Sequence, residues 1–498
     1  MAIIVILGPL LVSLGAAAAR SATSLPLGVA FVIAIAMYAA LVTIRQKRRD
    51  TLPPVPSKVV YQALAISIVC LAPFFAPSSN GFVNLGTADG GNHVRFYQSF
   101  VSTTPQAYNG FVGFYALIFF FEKTLGVVPE LALLCAIGYS LIVLMWTLSV
   151  WAITRGAWLI SVLALNIVVV VPIALTLQAS GFYPQLYGLS LLMCIMFACD
   201  RVIASRGVVP LSLAGVGLLR YAYGLTIADV FLGGGIYLVA RRKFCSGALL
   251  LVLCVYAISR LVSIITLSGV FTAISTPSLI ISTTLLLLAV PERNRLSFLL
   301  VVSSFVVWLA LGVSFGFDHY YIQKYPIGLC LMGGVLALPY VASELLARRV
   351  VIVTSLLFLC GAVYPYTRNA LDIARRRFVN PEVDLTLVAT IRESLSVGDK
   401  SFRVFIGNKW ARTNMINALF NREYSYQEFE SGALPAHSGC VFFDATDGVA
   451  QRLKRDKFPE VSRVVDSLLQ APHTRVAYNA PWTGGGTLVV GIACGNEQ

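Results

Sequence analysis

The sequence predicts a polytopic α-helical membrane protein of about 13 crossings with a C-terminal extracytoplasmic α/β domain. Three observations carry that prediction. Hydrophobic residues make up 57% of the chain and charged residues only 12%, and the mean hydropathy is +0.80, which excludes an ordinary soluble globular domain. Apolar runs recur along residues 1–366. Beyond them, in residues 367–498, the runs shorten and charges return to ordinary density, as expected of a compact folded domain.

Runs able to cross roughly 30 Å of hydrocarbon begin near Ile3, Leu27, Val59, Leu131, Leu159, Leu186, Leu211, Leu225, Ala248, Leu279, Leu296, Ile327 and Val350. The first, Ile3 to Ala19, resembles a signal peptide with small residues at Ala17-Ala18-Ala19, but it lacks a basic n-region and is read as an uncleaved crossing. The run Phe111 to Phe121 is read as a juxtamembrane helix. Short cytoplasmic loops collect Lys and Arg. The clusters Arg45, Lys47, Arg48 and Arg49; Arg201 and Arg206; Arg241, Arg242 and Lys243; Arg293 and Arg295; and Arg348 and Arg349 fall on one side if the N-terminus is cytoplasmic. That orientation, in a plasma (inner) membrane, puts the loop 77–128, the segments Gln178 to Gln185 and Phe317 to Tyr325, and the C-terminal domain outside. All four histidines, His93, His319, His437 and His473, then share the outer face. Either chemistry is concentrated there or histidine simply avoids lipid.

The net charge of +14 calls for no nucleic acid, since much of it is the cytoplasmic topology signal and anionic lipids are natural neighbours. In the C-terminal domain, Arg403 to Ile406, Cys440 to Phe443, Arg475 to Tyr478 and Thr487 to Ala493 read as strands. Helical spacing marks Leu385 to Leu395, Trp410 to Phe420 and Val461 to Leu469. Eight of the ten cysteines lie in or beside apolar spans, where a thiol is a small apolar side chain. The other two, Cys440 and Cys494, would favour a disulfide in an oxidising compartment, the alternative being two reduced thiols.

The polar, glycine-loosened stretch Thr87-Ala88-Asp89-Gly90-Gly91-Asn92-His93 stands out in so apolar a chain. Sugar transfer from a polyprenyl phosphate needs one carboxylate to take the acceptor hydroxyl's proton. The leaving phosphate needs cations and no general acid, unlike glycoside hydrolysis with its two carboxylates. Asp89 supplies the acid, and Arg220, Arg260 and Lys324 the cations. Arg260 falls within an apolar span, where an arginine costs on the order of 2.5 to 3.5 kcal/mol, offset by a lipid phosphate or by snorkelling. Arg220 pairs with Asp229, or Asp229 is a second acid. His93 follows Asp89 by four residues, a spacing that fits a divalent metal or a proton relay, although two ligands make no metal site. The aromatics Phe96, Tyr97, Tyr108, Tyr115, Tyr183, Tyr320 and Tyr321 suit sugar stacking and interfacial anchoring equally.

Asp89 followed by His93, then Tyr108-Asn109-Gly110 and Phe114-Tyr115-Ala116-Leu117, resembles the first extracytoplasmic loop of the GT-C superfamily of polyprenyl-phosphate-sugar glycosyltransferases. Gly181-Phe182-Tyr183-Pro184 adds to the likeness. Asp318-His319-Tyr320-Tyr321-Ile322-Gln323-Lys324-Tyr325 is similar to an element of actinobacterial arabinofuranosyltransferases, which use decaprenyl-phosphate arabinose on cell-wall galactan. The resemblance implies a GT-C-like membrane domain, Asp89 as base, His93 beside it in the acceptor site, and Lys324 on the donor phosphate. It also implies a substrate site drawing on Tyr97, Tyr108, Tyr183, His319, Tyr320 and Tyr321. The C-terminal domain would help to hold a cell-wall glycan acceptor, with Trp410, Tyr424, Tyr426 and Trp482 available for stacking. Many GT-C loops carry adjacent acids, whereas Asp89 stands alone, which leaves metal dependence open. The rival classes are a lipid-linked glycan flippase or transporter, for which no internal repeat is found, and an O-antigen-type polymerase or ligase. The latter leans on arginine-rich outer loops, and here the large loop offers only Arg95 and Lys123.

Overall fold

The computed structural model of the 498-residue chain describes residues 55–75, 112–179, 182–198, 227–240, 244–266, 296–316 and five strands between 401 and 494, with isolated positions elsewhere, chiefly within 93–101, 322–336 and 386–393. The helices are α1 (Ser57–Phe75), α2 (Val112–Leu125), α3 (Pro129–Thr154), α4 (Leu159–Leu165), a π-helical segment (Asn166–Val170), α5 (Val171–Ala179), α6 (Tyr183–Ala198), α7 (Ile227–Ala240), α8 (Phe244–Thr266) and α9 (Leu296–Phe315). Among the described residues, two helical stretches are long and apolar enough to cross a membrane, Leu131–Thr154 and Phe298–Phe315, and Ser57–Leu71 is a shorter apolar one. The expected crossings that begin at Ile3, Leu27, Leu211, Leu279 and Val350 lie outside the described residues.

Helix α3 begins with Pro129, whose missing N–H costs nothing in a first turn. It ends where Gly156 takes a φ of +90°. There the Ala157 N–H bonds back to the Ala152 carbonyl at 3.1 Å and the Gly156 N–H to Ile153 at 3.0 Å, the paired bonds that close a helix on a left-handed residue. Gly316, with φ +91°, stops α9 in the same region of backbone space.

Helices α4 and α5 are joined by the π segment into one continuous helix. Pro172 explains the change of pitch. Its ring clashes with the carbonyl four residues back and offers no N–H, so the ladder widens, and the Val171 N–H bonds to the Asn166 carbonyl five residues earlier. Asn166, fully buried, donates through Nδ2 to Ser149 Oγ at 3.0 Å on α3 and to the Val162 carbonyl at 2.9 Å. The amide thus ties the widened turn to α3.

Around a largely apolar core, several hydroxyl groups are buried and several apolar side chains stay exposed. Ser67, Ser140, Thr147, Ser149, Ser190, Ser303 and Ser304 are buried, whereas Tyr61, Leu64 and Ile68 on α1, Leu249, Val252 and Val255 on α8, and Val306, Leu309 and Val313 on α9 are exposed. Each exposed trio repeats at three- or four-residue spacing and therefore lies along one helix face. Val313 keeps 75% of its surface. A water-facing helix carries polar residues on that face, so these stripes suit contact with lipid. Buried serines return their hydroxyls to the backbone one turn earlier, as Ser67 does to the Ala63 carbonyl at 2.8 Å and Ser140 to Ala136 at 2.7 Å.

Helix α7 packs against both α8 and α9 through glycines. A Cβ on Gly233 would lie 2.7 Å from Leu300 Cδ2 and 2.9 Å from Leu300 Cα, and one on Gly247 would lie 2.6 Å from Val239 Cγ2. A glycine, having no Cβ, lets two helix backbones approach where any larger residue would clash. Gly233→Val is expected to destabilise the protein by about 1–3 kcal/mol through overpacking, read as a lower melting temperature in detergent. Gly328→Ala, whose new methyl would sit at an ordinary 3.6 Å from Leu189 and Leu192, is expected to leave it unchanged. Equal melting of the two variants would refute the close approach.

The C-terminal strands are β1 (Ser401–Phe405), β2 (Ser425–Glu428), β3 (Cys440–Asp444), β4 (Thr474–Pro481) and β5 (Thr487–Cys494). They form one mixed sheet in the order β2-β1-β3-β5-β4. β1 pairs in parallel with β2 and β3, and β5 is antiparallel to β3 and β4. Parallel neighbours need crossover connections, the arrangement expected of an α/β domain. Four strands fall on the four predicted runs. The fifth, β2, reads Ser-Tyr-Gln-Glu and lacks the apolar run that marks a strand, because it is an edge strand with one neighbour. Of the predicted helices, Thr386, Ala389, Thr390 and Glu393 are helical; Trp410 to Phe420 and Val461 to Leu469 lie outside the described residues.

Candidate functional site

The described residues between 93 and 101 are helical and mostly buried, with Tyr97 one turn beyond His93. This segment meets α2 and α6. His93, 5% exposed, shares a hydrogen bond of 2.9 Å between Nδ1 and Tyr115 Oη on α2. Its ring centroid lies 5.1 Å from that of Tyr183 at the start of α6, 6.1 Å from Phe114 edge-on, and 6.2 Å from Phe96. Phe114 in turn packs on Tyr183 at 6.4 Å and Tyr187 at 6.1 Å. The imidazole therefore sits in an aromatic box, tied to the Tyr115 hydroxyl.

A second polar pair lies close by in sequence. Tyr97 donates its hydroxyl to Glu122 Oε2, and the other carboxylate oxygen accepts from Lys123 Nζ at 2.8 Å. The ammonium also stands 5.5 Å above the Phe119 ring, a cation–π placement. Glu122 was not singled out in the sequence. Its signal was available, as an acid beside a lysine at the end of an aromatic run, but nothing local indicates that Tyr97, 25 positions earlier, would reach it.

Helix α6 starts at Tyr183 with Pro184 in its first turn, and the turn before it is tied by the Phe182 N–H to the Leu177 carbonyl at 2.8 Å. On either side of this turn are two buried amides, Gln178 and Gln185, 5% and 4% exposed. The side-chain carbonyl oxygen of each has no hydrogen-bond partner. A buried acceptor in that condition costs about 1–3 kcal/mol. Gln185 lies one turn before Leu189, on the face of α6 where Leu189 and Leu192 approach Gly328.

The stretch Asp318 to Tyr325 has one described member. Ile322 is fully buried, and its carbonyl accepts the Trp308 indole N–H at 3.1 Å, which fastens this stretch to α9. Of the predicted site residues, the structure brings together His93 and Tyr183, and places Tyr97 on the same segment as His93. Arg260 falls within α8. Asp89, Tyr108, Arg220, His319, Tyr320, Tyr321 and Lys324 lie outside the described residues. Among the described residues no group of three His, Cys, Asp or Glu side chains gathers to hold a metal. Cys440 and Cys494 are directly opposite each other where β3 meets β5. Residues so paired have their Cα atoms about 4.5–5.5 Å apart, within the span a disulfide bridges.

No protein-family model matches the chain, and no curated protein is significantly similar to it.

Proposed function

We propose that the protein is a membrane glycosyltransferase of GT-C type that moves a sugar, arabinofuranose, from a polyprenyl-phosphate donor to a cell-envelope glycan on the outer face. The observation that supports this reading best is a convergence. Three separate stretches that carry the GT-C resemblance, ending in His93, containing Phe114-Tyr115, and containing Tyr183, meet in one aromatic box through the 2.9 Å His93–Tyr115 bond and the tilted His93–Tyr183 ring contact at 5.1 Å. Aromatic faces beside a buried polar group suit a sugar ring.

In the proposed reaction the Asp89 carboxylate takes the proton of an acceptor hydroxyl as its oxygen bonds to the anomeric carbon of the donor sugar. The bond from that carbon to the phosphate oxygen breaks, and the electron pair leaves with the polyprenyl phosphate. Lys324, with Arg260 and Arg220, would hold the phosphate charge. His93, tied to Tyr115, would stand beside the base in the acceptor site. A divalent metal, if the enzyme uses one, would draw on Asp89 and His93. Purified protein in lipid, given decaprenyl-phosphate arabinose or decaprenyl-phosphate mannose and a galactan acceptor, is the test. Transfer from the arabinose donor is expected. Transfer from mannose alone would keep the class and change the sugar, and folded protein that uses neither would sink the reading.

The C-terminal domain in this reading lies outside the cell membrane and carries a Cys440–Cys494 disulfide across β3 and β5. Alkylation of the denatured protein is expected to label two fewer thiols before reduction than after it, with a Cys440–Cys494 linked peptide in the digest. Labelling of all ten cysteines without reduction would remove the bridge. Where it is present, reduction should cost the domain about 2–4 kcal/mol.

A further inference from the structure

We propose that Gln178 and Gln185 form a subsite for the hydroxyl groups of the donor sugar, at the turn between α5 and α6; the sugar's identity as substrate rests on the function proposed above. Both amides are at least 95% buried, yet both keep a carbonyl oxygen without a partner. Buried acceptors are nearly always paired with protein, water or ligand, so two of them flanking one turn mark a place where donors arrive from outside the chain. Sugar hydroxyls are such donors, and a neutral amide accepts them without the repulsion that a carboxylate would set against a phosphate.

Position agrees with this chemistry. The turn is closed by the Phe182–Leu177 bond of 2.8 Å and leads straight into Tyr183, whose ring lies 5.1 Å from His93. Gln185 shares its helix face with Leu189 and Leu192, which approach Gly328, four positions beyond Lys324 in the chain. Gln185 thus faces the helix that follows the expected phosphate contact, while Tyr183, two positions earlier on α6, turns to the aromatic box. Asn166 also keeps an unpaired side-chain carbonyl oxygen, while its Nδ2 is held by Ser149 and the Val162 carbonyl; it stands in the π segment, before α5 and not at its end.

Binding of decaprenyl-phosphate arabinose and of bare decaprenyl phosphate to full-length protein in nanodiscs separates the possibilities. Wild type is expected to bind the sugar-bearing lipid more tightly. Gln178→Leu and Gln185→Leu should each reduce that preference about three- to tenfold, the worth of one neutral hydrogen bond, with affinity for bare lipid unchanged. Leucine matches glutamine in size and removes an unpaired polar group, so both variants should fold, as melting curves will show. A preference kept in both variants would mean that the two carbonyls meet resident water only, and would overturn the subsite while leaving the transferase reading intact. Wild type that binds the two lipids equally would overturn the subsite and arabinose as the sugar it holds, while sugar transfer itself is decided by the assay proposed above.

Discussion

Asp89→Asn is expected to lower sugar transfer by roughly 10²–10⁴-fold, the contribution of a positioned general base, with the protein still folded. Asparagine keeps the shape of the side chain and its hydrogen-bonding oxygen but cannot accept the acceptor hydroxyl's proton. The loss should therefore fall on kcat, with donor affinity unaltered, because the proposed mechanism assigns the lipid phosphate to cations and not to Asp89. Single-turnover transfer of labelled sugar, with the melting temperature as a control for folding, measures it. Unchanged transfer would remove Asp89 as base and shift the role to Asp229, Asp318 or Glu122, the last of which accepts the Tyr97 hydroxyl.

His93→Ala is expected to be the most damaging change in the aromatic box. It removes a buried ring from among Phe96, Phe114, Tyr115 and Tyr183 and the bond to Tyr115 Oη with it. Truncating a large buried side chain costs about 2–5 kcal/mol, and the lost hydrogen bond is worth about 1 kcal/mol of that order. Tyr115→Phe removes only the hydroxyl, so its cost should stay near the smaller figure. A double-mutant cycle on the pair is expected to return a coupling of about 0.5–3 kcal/mol, as for residues in direct contact. Additive melting shifts would mean that the bond does not hold the box together. Transfer should fall in both variants, further in His93→Ala, since the box fixes the segment that follows the proposed base Asp89.

Local patterns were legible wherever they depend on neighbours in the chain. The apolar runs that became α3 and α9, and the four short runs that became β1, β3, β4 and β5, follow from spacing and composition alone. The polar pairs were not legible in the same way. His93 and Tyr115 are 22 residues apart, Tyr97 and Glu122 25 apart, and Asn166 and Ser149 17 apart. No helical or strand period connects such positions. The π segment shows both sides of this. Pro172 announces a break, yet that the break would be absorbed by widening one turn, with Asn166 bridging to α3, depends on what packs against it.

The sequence by itself determined the apolar character of the chain, the change of composition near residue 367, the polar stretch around Asp89 and four of the five strands beyond residue 400. These are sums or short-range periodicities, and no tertiary contact is needed to read them. Only the tertiary structure decided that α1, α8 and α9 keep apolar side chains exposed while Ser67, Ser303 and Ser304 are buried, and that His93 meets Tyr115 and Tyr183. It also decided that Cys440 stands opposite Cys494, and that Gln178 and Gln185 are buried with their carbonyls unpaired. Each of these depends on how distant segments return to one another, and that is set by the packing of whole helices and the order of strands, which no single stretch of sequence contains.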